Sequence, residues 1–387
     1  MRRFLNGFVI LSLATILVGA AAGTAAADRP KEEGSGRYIV VLNEQQRDKG
    51  VLGTTSQQLQ SVVKGLRVGH LYGEVLNGFS ATIPNDQVEE LRNDPRVAYL
   101  EADEKVSADG QSLPWGIDRV EADKSSTKAG NGSGAVSGVN AYAIDSGVAK
   151  DADLNVVQRL NFTEEPNEDC HGHGSHISGT IGARDNSRGV VGVAPGLPIT
   201  SLKVLDCESH GWYSDMIAAI DWVTKNAKKP AVANMSIGGN PSQAVDDAIR
   251  RAVKSGVFFA LSAGNKGKSA CGQTPARAGA GTNNGILTVA ALDSGNKEAS
   301  FSNYGDCVDI WAPGVKILST GNSGGIGYMS GTSMAAPHGA GAAALYLSKH
   351  RTATPAQVEA ALKKAATSTG SKSKDGAAIK RVNTSGM

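Results

Sequence analysis

Residues 331–338 read Gly-Thr-Ser-Met-Ala-Ala-Pro-His, and this stretch decides how the rest of the chain is interpreted. Ser333 stands between a glycine turn and a run of small residues that predicts a helix from Ser333 to Leu347. A serine at such a change of direction exposes its hydroxyl where backbone N–H groups and the helix dipole point. The pattern indicates a candidate nucleophile, although a serine that starts a helix is also a common N-cap.

A serine nucleophile needs a general base beside it, and the base needs an acid that orients it. His173 is the candidate base, because a glycine on each side leaves its ring open to substrate and to Ser333. Asp145 ends the apolar run 141–145, where a carboxylate needs a partner. Asp145, His173 and Ser333 are therefore predicted to form a catalytic triad, although Asp145 could instead be a turn residue.

Two further histidines lie close to His173, and a zinc site is the alternative interpretation of this region. His176 follows by one helical turn and is expected to pack inside, whereas His171 is expected in a solvated loop. Zinc peptidases use His-Glu-x-x-His, and neither that spacing nor its glutamate is present. The possible ligands are Asp169, Cys170, His171, His173 and His176.

The amino terminus indicates export. Arg2 and Arg3 precede an apolar run from Phe8 to Ala21, and Ala25–Ala27 forms a small-residue cleavage site. The run is short and lacks a stop-transfer pattern, which favours a signal peptide over a membrane anchor. The net charge of +2 gives no indication of a nucleic-acid partner. We predict a secreted, extracellular protein with a signal peptide over residues 1–27 and no membrane anchor.

The carboxyl-terminal part alternates short apolar runs with amphipathic helical patterns. This alternation predicts an α/β three-layer sandwich with a mainly parallel sheet. Such sheets bind ligands at the carboxyl ends of their strands, where Asp145 and Asn265 stand. The predicted strands are 141–145, 199–205, 232–236, 257–262 and 285–290. Residues 368–376 form a polar tail without a predicted element.

A smaller unit precedes this sandwich. Residues 37–102 show strand and helix patterns in the order β-α-β-β-α-β, which predicts a small α+β domain of the ferredoxin-like type. The predicted elements are a strand at 38–42, a helix at 57–64, a strand pair or bent strand at 75–83, a helix capped by Asn85 and a strand at 97–101.

The motifs around Asp145, His173 and Ser333 resemble those of the subtilisin-like serine peptidases, specifically the proteinase K and aqualysin branch. The segments 262–265, Ser-Ala-Gly-Asn, and 300–305, Ser-Phe-Ser-Asn-Tyr-Gly, fit the same family. The resemblance covers nearly the whole chain after the signal peptide. It implies that Ser333 is the nucleophile, that His173 is the base oriented by Asp145, and that Asn265 supplies an oxyanion donor. Ser175 departs from the family, which usually has threonine there.

The resemblance also implies a secreted endopeptidase of broad specificity, with an apolar preference at its main pocket and no organic cofactor. Substrate should add as a strand to exposed backbone edges. The segment 209–211 replaces the usual glycine-rich run of that region, and Tyr213 aligns with an aromatic of a more distal subsite. The implied substrate-binding residues are Ser209, His210, Gly211, Tyr213, Ser236, Ile237, Gly238, Ser262, Ala263 and Gly264.

Structural Ca²⁺ is a further implication. Asp309 aligns with a carboxylate ligand of the proteinase K branch, where two main-chain carbonyls complete the protein's share. Those carbonyls would fall near Asn284 and Ile286. Oxygen ligands suit a hard cation, whose role would be stability rather than chemistry. The alternative interpretation of Asp309 is a surface aspartate.

The four cysteines of an exported chain predict two disulfides, and counting alone leaves three pairings open. The family resemblance selects Cys170 with Cys207 and Cys271 with Cys307.

The family carries an inhibitory propeptide before the enzyme, and the unit at 37–102 resembles it. We expect a propeptide over 28–107, cleavage near Ser107, and a peptidase domain over 108–387. The mature enzyme is expected to be a monomer that acts on proteins and peptides and that its own propeptide inhibits. A permanent accessory domain is the alternative interpretation of the first unit.

Two other function classes are alternatives to a peptidase. An inactive binding scaffold is disfavoured because no member of the motif set is missing. A lipase or esterase would carry Gly-x-Ser-x-Gly and the order Ser, acid, His, and neither is present.

Overall fold

The computed structural model describes residues 34–43, 49–103, 110–151 and 153–387. The predicted signal peptide at 1–27 and the predicted cleavage point near Ser107 lie outside the described residues. The chain divides into two compact units, residues 1–106 and 107–387.

The first unit is an antiparallel sheet of four strands in the order β2-β3-β1-β4, with two helices. Its β-α-β-β-α-β order confirms the predicted ferredoxin-like arrangement. Its core is built on Leu59, Phe79, Ile83 and Leu91, which are fully buried. The elements are β1 (Ser35–Leu42), α1 (Lys49–Val62), β2 (Arg67–Tyr72), β3 (Gly78–Pro84), α2 (Val88–Arg92) and β4 (Val97–Ala102).

Three predictions in this unit were wrong: the start of a helix, the strands of one segment and the cap of a second helix. Helix α1 begins at Lys49 rather than at residue 57, because burial of Leu52 and Leu59 outweighs the weak helix propensity of Gly53 and its neighbours. The segment predicted as a single bent strand or a pair at 75–83 contains only β3, and β2 lies upstream. Asn85 opens a short 3₁₀ turn and does not cap α2.

The second unit is a sheet of nine strands in the order β14-β15-β11-β10-β9-β8-β5-β7-β6. All neighbouring pairs are parallel except the edge pair β14–β15, which confirms the predicted mainly parallel sheet. The strands are β5 (Asn140–Asp145), β6 (Val156–Asn161), β7 (Ile199–Lys203), β8 (Ala231–Met235), β9 (Val257–Ser262), β10 (Ile286–Leu292), β11 (Ile310–Pro313), β14 (Thr367–Lys372) and β15 (Ala378–Arg381). A separate hairpin joins β12 (Ile317–Thr320) to β13 (Ile326–Met329).

Helices cover both faces of this sheet and complete the three-layer sandwich. Strand residues alternate between the two cores: Ala141 and Ala143 pack on one side, and Tyr142 and Ile144 on the other. Helices α4, α7 and α8 share the first core, and α5 and α6 share the second. The helices are α3 (Trp115–Arg119), α4 (His173–Gly182), α5 (Tyr213–Asn226), α6 (Gln243–Lys254), α7 (Thr332–Lys349) and α8 (Pro355–Ala365).

Small residues allow helix α7 to lie in the centre of the first core. A Cβ placed on Gly341 would stand 2.6 Å from the Val193 Cβ, and one on Gly339 would stand 3.0 Å from Leu287. The small-residue run that follows Ser333 is therefore a requirement of close packing. It brings the amino terminus of α7 to the sheet edge that carries the functional residues.

The polar tail predicted at 368–376 is instead part of the sheet. Strand β14 pairs antiparallel with β15, and Ile379 of β15 is fully buried. The hairpin lies at the sheet edge, where a strand needs no continuous apolar face, and hydrophobic patterning therefore missed it.

Candidate active site

The candidate site lies at the carboxyl ends of three adjacent strands. Strand β5 ends at Asp145, β8 ends one residue before Ser236, and β9 ends at Ser262. Ile144 is paired with Met235, so Asp145 and Ser236 emerge from neighbouring strands about 4.8 Å apart. Parallel pairing thus brings together residues that are far apart in the sequence.

Asp145 and His173 form a short, buried hydrogen bond. His173 Nδ1 lies 2.6 Å from Asp145 Oδ1, and the Asp145 side chain is 1% exposed. A carboxylate on Nδ1 holds the tautomer in which Nε2 is free to accept a proton. Burial lowers the pKa of His173, but the charge and hydrogen bond of Asp145 raise it by more, so the pKa lies above that of ordinary imidazole.

A second buried carboxylate, Asp169, fastens this pair. Its Oδ1 accepts hydrogen bonds from the Ser146 hydroxyl at 2.8 Å and from the Gly172 N–H at 2.7 Å. Its Oδ2 accepts from the Ser175 N–H and from the Ser175 hydroxyl. The turn after Asp145 is thereby tied to the first turn of α4. The sequence pointed to Asp169 only as a possible zinc ligand, and this role was missed. Ser175 lacks the methyl group of the family's usual threonine but keeps the hydroxyl that this contact uses.

The backbone conformation and the close packing at positions 172 and 174 require glycine, apart from any need to keep the His173 ring accessible. Gly172 has φ of 94°, in the left-handed region that favours glycine. A Cβ on Gly174 would overlap the Gly147 carbonyl oxygen.

The zinc alternative receives no support. His176 is 1% exposed, its Nε2 lies 2.9 Å from the Ile317 carbonyl oxygen, and burial lowers its pKa to about 4. Within the described parts of the chain, the only three metal-ligating side chains with ligand atoms close together are Glu165, Cys170 and Cys207, and the two cysteines form a disulfide.

Ser333 is the second residue of α7 and is fixed to the end of β8. Its hydroxyl donates to the Ser236 carbonyl oxygen at 3.1 Å, and its own carbonyl oxygen accepts from the Ser236 hydroxyl at 2.8 Å. Ser333 therefore stands at the strand next to the one that ends in Asp145.

The side-chain amide of Asn265 is oriented by Thr332, the residue before Ser333. Asn265 Oδ1 accepts from both the N–H and the hydroxyl of Thr332 at 2.8 Å. These two donors show which atom of the carboxamide is the oxygen, so Nδ2 is the atom that can donate elsewhere. Nδ2 lies 3.2 Å from the position that a Cβ on Gly331 would occupy. Sequence analysis did not single out Thr332, whose hydroxyl also accepts from the Gly264 N–H.

The residues predicted to contact substrate follow the carboxyl ends of three strands of the sheet. Residues 209–211 follow β7, and 236–238 and 262–264 stand at the ends of β8 and β9. Tyr213 starts α5 and donates its hydroxyl to the Asn240 carbonyl oxygen at 2.8 Å. Its neighbour Trp212, which the sequence did not single out, is 74% exposed.

The slot predicted between 236–238 and 262–264 is not purely apolar. The buried side chain of Gln273 lies against both edges: a Cβ on Gly264 would stand 2.6 Å from Gln273 Oε1, and one on Gly238 would overlap Gln273 Nε2. Asn303 Nδ2 lies 3.4 Å from Gln273 Oε1. A carboxamide therefore forms part of this slot, and no motif in the sequence pointed to it.

Comparisons with known proteins identify the family. The model of the subtilase family, Peptidase_S8, matches residues 116–380, and that of the peptidase inhibitor I9 matches residues 37–109. The chain belongs to the subtilase family. It is thus a serine proteinase that hydrolyses peptide bonds and carries an I9 propeptide.

Individual subtilases are similar in sequence to this protein over most of its length. An extracellular serine proteinase of Thermus sp. (strain Rt41A) is 39% identical over 364 residues, 84% of each chain. Subtilisin E of Bacillus subtilis is 41% identical over 300 residues, 76% of each chain. The crystal structure of a cold adapted subtilisin-like serine proteinase superposes with a TM-score of 0.63 at 38% identity, covering 70% of this chain and 98% of that one.

This subtilase is secreted, as its extracellular relatives are. In the part of the chain that the structure describes, every helix is too short or too polar to cross a membrane.

Both disulfides of the subtilase pair as predicted, Cys170 with Cys207 and Cys271 with Cys307. They close loops of 37 and 36 residues. Chain entropy assigns each loop about 4 kcal/mol of stabilisation. The first bridge flanks the turn before His173, and the second holds the segment that carries Gln273.

Structural calcium is common among subtilases, but Asp309, the carboxylate predicted to bind it, already has a cation beside it. Its Oδ1 accepts from Lys363 Nζ at 2.7 Å, and an ammonium and a Ca²⁺ ion cannot share one position. The main-chain carbonyls near Asn284 and Ile286 stay a prediction. Asp309 is also not the surface aspartate of the alternative interpretation, because its side chain is 5% exposed.

Proposed function

We propose that this subtilase is an endopeptidase made as a zymogen, and that it works through an acyl-enzyme on Ser333. The observation that carries the proposal is the 2.6 Å bond between His173 Nδ1 and Asp145 Oδ1, beside the strand end that holds Ser333. This arrangement supports a general base, oriented by a buried acid, next to a serine at a helix amino terminus.

The residues divide the reaction among them. The Ser333 hydroxyl turns from the Ser236 carbonyl to His173 Nε2, gives up its proton there and attacks the peptide carbonyl carbon. The carbonyl oxygen becomes an oxyanion that accepts from Asn265 Nδ2 and from the Ser333 N–H. His173 then donates the proton to the leaving amine. Water repeats the sequence on the acyl-enzyme and releases the second product.

We propose that peptides bind as an added strand along 209–211 and 236–238, with the main side chain in the slot beside 262–264. The small residues there favour broad specificity with an apolar preference, to which Gln273 adds a polar wall. Tyr213 contributes to a more distal subsite. A monomer without a membrane anchor and without an organic cofactor is sufficient for this chemistry.

The proposed division of the chain is a signal peptide over 1–27, an inhibitory propeptide over 28–107 and a peptidase domain over 108–387. It is supported by the compact unit that ends at residue 106 and by the inhibitor I9 match at 37–109.

A serine-directed sulfonyl fluoride tests the proposed chemistry. The mature enzyme should lose activity as one sulfonyl group joins Ser333 Oγ and fluoride leaves. Because His173 must be neutral to accept the proton and its pKa is raised, the rate should fall as the pH drops through a midpoint above about 6.5. Mass spectrometry of the labelled peptide and the pH profile are the measurements. His171→Ala is the matched control and should keep the rate within about twofold. Labelling elsewhere, or a rate flat between about pH 5 and 9, would contradict the proposal.

The isolated propeptide, residues 28–107, should inhibit the mature enzyme when added in trans. If the enzyme cuts near Ser107, the tail of the propeptide is a product already shaped for the site, and its folded body raises the local concentration of that tail. Residual activity against added propeptide, followed over hours, measures the effect. A propeptide that lacks residues 104–107 should inhibit at least about tenfold more weakly, and inhibition should fade as the small unit is digested. Unchanged activity at saturating propeptide would make this unit an accessory domain.

A further inference from the structure

The carboxylate of Asp309 belongs to a buried charge cluster closed by a lysine. Lys363 Nζ lies 2.7 Å from Asp309 Oδ1 and 3.2 Å from Glu359 Oε1. The Asp309 and Glu359 side chains are 5% and 0% exposed, whereas that of Lys363 is 26% exposed. The ammonium therefore reaches in from the solvent side and neutralises two carboxylates that are almost completely buried.

The cluster joins three separate segments of the fold. Glu359 accepts from the Asn283 and Gly285 N–H groups, both at 2.8 Å, and so holds the loop before β10. Asp309 Oδ2 accepts from the Thr288 N–H, and the Asp309 N–H donates to the Thr288 carbonyl oxygen, both at 2.9 Å. Glu359 and Lys363 lie one turn apart on α8. Glu359 therefore links α8 to the loop before β10, and Lys363 links α8 to Asp309 at the approach to β11.

Asp309 and Glu359 supply carboxylate oxygens, and β10 directs main-chain carbonyls to the side on which Asp309 lies. Since Thr288 directs its carbonyl toward Asp309, strand alternation directs the carbonyl of Ile286, two residues earlier, to the same side. Two carboxylates and a main-chain carbonyl are a typical donor set for Ca²⁺. Without the ammonium, this set would leave two like charges buried together, which is strongly unfavourable.

We propose that Lys363 is a built-in cation that takes the place of calcium at Asp309, and that removing its ammonium converts the cluster into a divalent-cation site. The native cluster then needs no metal, and its contribution to stability does not depend on calcium. The lysine position in α8 decides between the two states.

Lys363→Met tests the proposal, with Lys364→Met, the adjacent and exposed lysine of the same helix, as the matched control. Both are made in the full-length chain with Ser333→Ala, which prevents autolysis. In EDTA the thermal midpoint of Lys363→Met should fall by roughly 5–10 °C, because the buried carboxylates lose their counter-ion. Millimolar Ca²⁺ should restore at least about half of that loss, and calorimetric titration should show one Ca²⁺ more than in the control.

Calcium bound elsewhere on the chain should raise the thermal midpoints of the parent, the control and the variant alike. The readout is therefore the difference between Lys363→Met and Lys364→Met in how much calcium raises the thermal midpoint. Asp309→Asn/Lys363→Met removes a carboxylate as well as the ammonium. It should be more stable in EDTA than Lys363→Met alone and no more responsive to calcium than the control. If Lys363→Met accumulates poorly without calcium, the stability of this double variant in EDTA and its calcium response still test the proposal. The proposal is overturned if calcium stabilises Lys363→Met no more than Lys364→Met, or if the double variant keeps the extra calcium response.

Discussion

Replacing Ser333 by alanine should abolish peptidase activity and leave the secreted protein with its amino-terminal unit still attached. The substitution removes the proposed nucleophile, whereas the Ser236 contact through the Ser333 carbonyl and the packing of α7 remain. We expect kcat to fall by about 10⁶, a magnitude taken from subtilisin, itself a member of this family. Amino-terminal sequencing of the secreted protein and a peptide hydrolysis assay are the measurements.

The matched control for this experiment is Ser330→Ala, three residues upstream. The Ser330 hydroxyl accepts from the Lys316 N–H at 2.8 Å, in an exposed hydrogen bond. It should mature normally and keep activity within about twofold. Normal maturation of Ser333→Ala in a host without other proteases would contradict self-cleavage, and residual activity near the parental level would contradict the nucleophile assignment.

Replacing Asn265 by alanine should lower kcat by about 10²–10³ with little change in KM, again a magnitude known from subtilisin. In the proposed mechanism the amide donates to an oxyanion that exists only during reaction, so its loss should affect the transition state and not the bound peptide. Thr332→Val removes one of the two bonds that orient the amide and should cost up to about tenfold in kcat. Steady-state kinetics on a short peptide separates the two constants. An increase in KM at constant kcat would assign Asn265 to substrate binding.

The chemistry of the site could be predicted from the sequence because its motifs are local. A serine before a small-residue helix, a histidine between glycines and an aspartate after an apolar strand each keep their meaning in isolation. The Asp145–His173 bond brings two of these motifs together. Apolar runs likewise identified five of the buried parallel strands, since a strand covered on both faces needs continuous apolar residues.

The supporting residues could not be predicted, because their roles depend on which segments meet. Asp169 reads as one more acid near a histidine until the fold places Ser146, Gly172 and Ser175 around it. Gln273 belongs to no motif in the sequence, and only the fold of the loop after β9 places its side chain against Gly238 and Gly264. The polar hairpin β14–β15 lacks an apolar face because it lies at the edge of the sheet.

The sequence by itself determined the family, the sandwich and the secretory context, because each follows from short motifs and residue periodicity, and the same motifs led to the proposed triad. Only the tertiary structure decided what surrounds Asp309. Lys363 is 54 residues away on helix α8, and no local pattern distinguishes a lysine that points to solvent from one that enters a carboxylate pair. Packing of α8 against the sheet brings its ammonium to within 2.7 Å of Asp309, and the family's expected metal ligand becomes half of an ion pair.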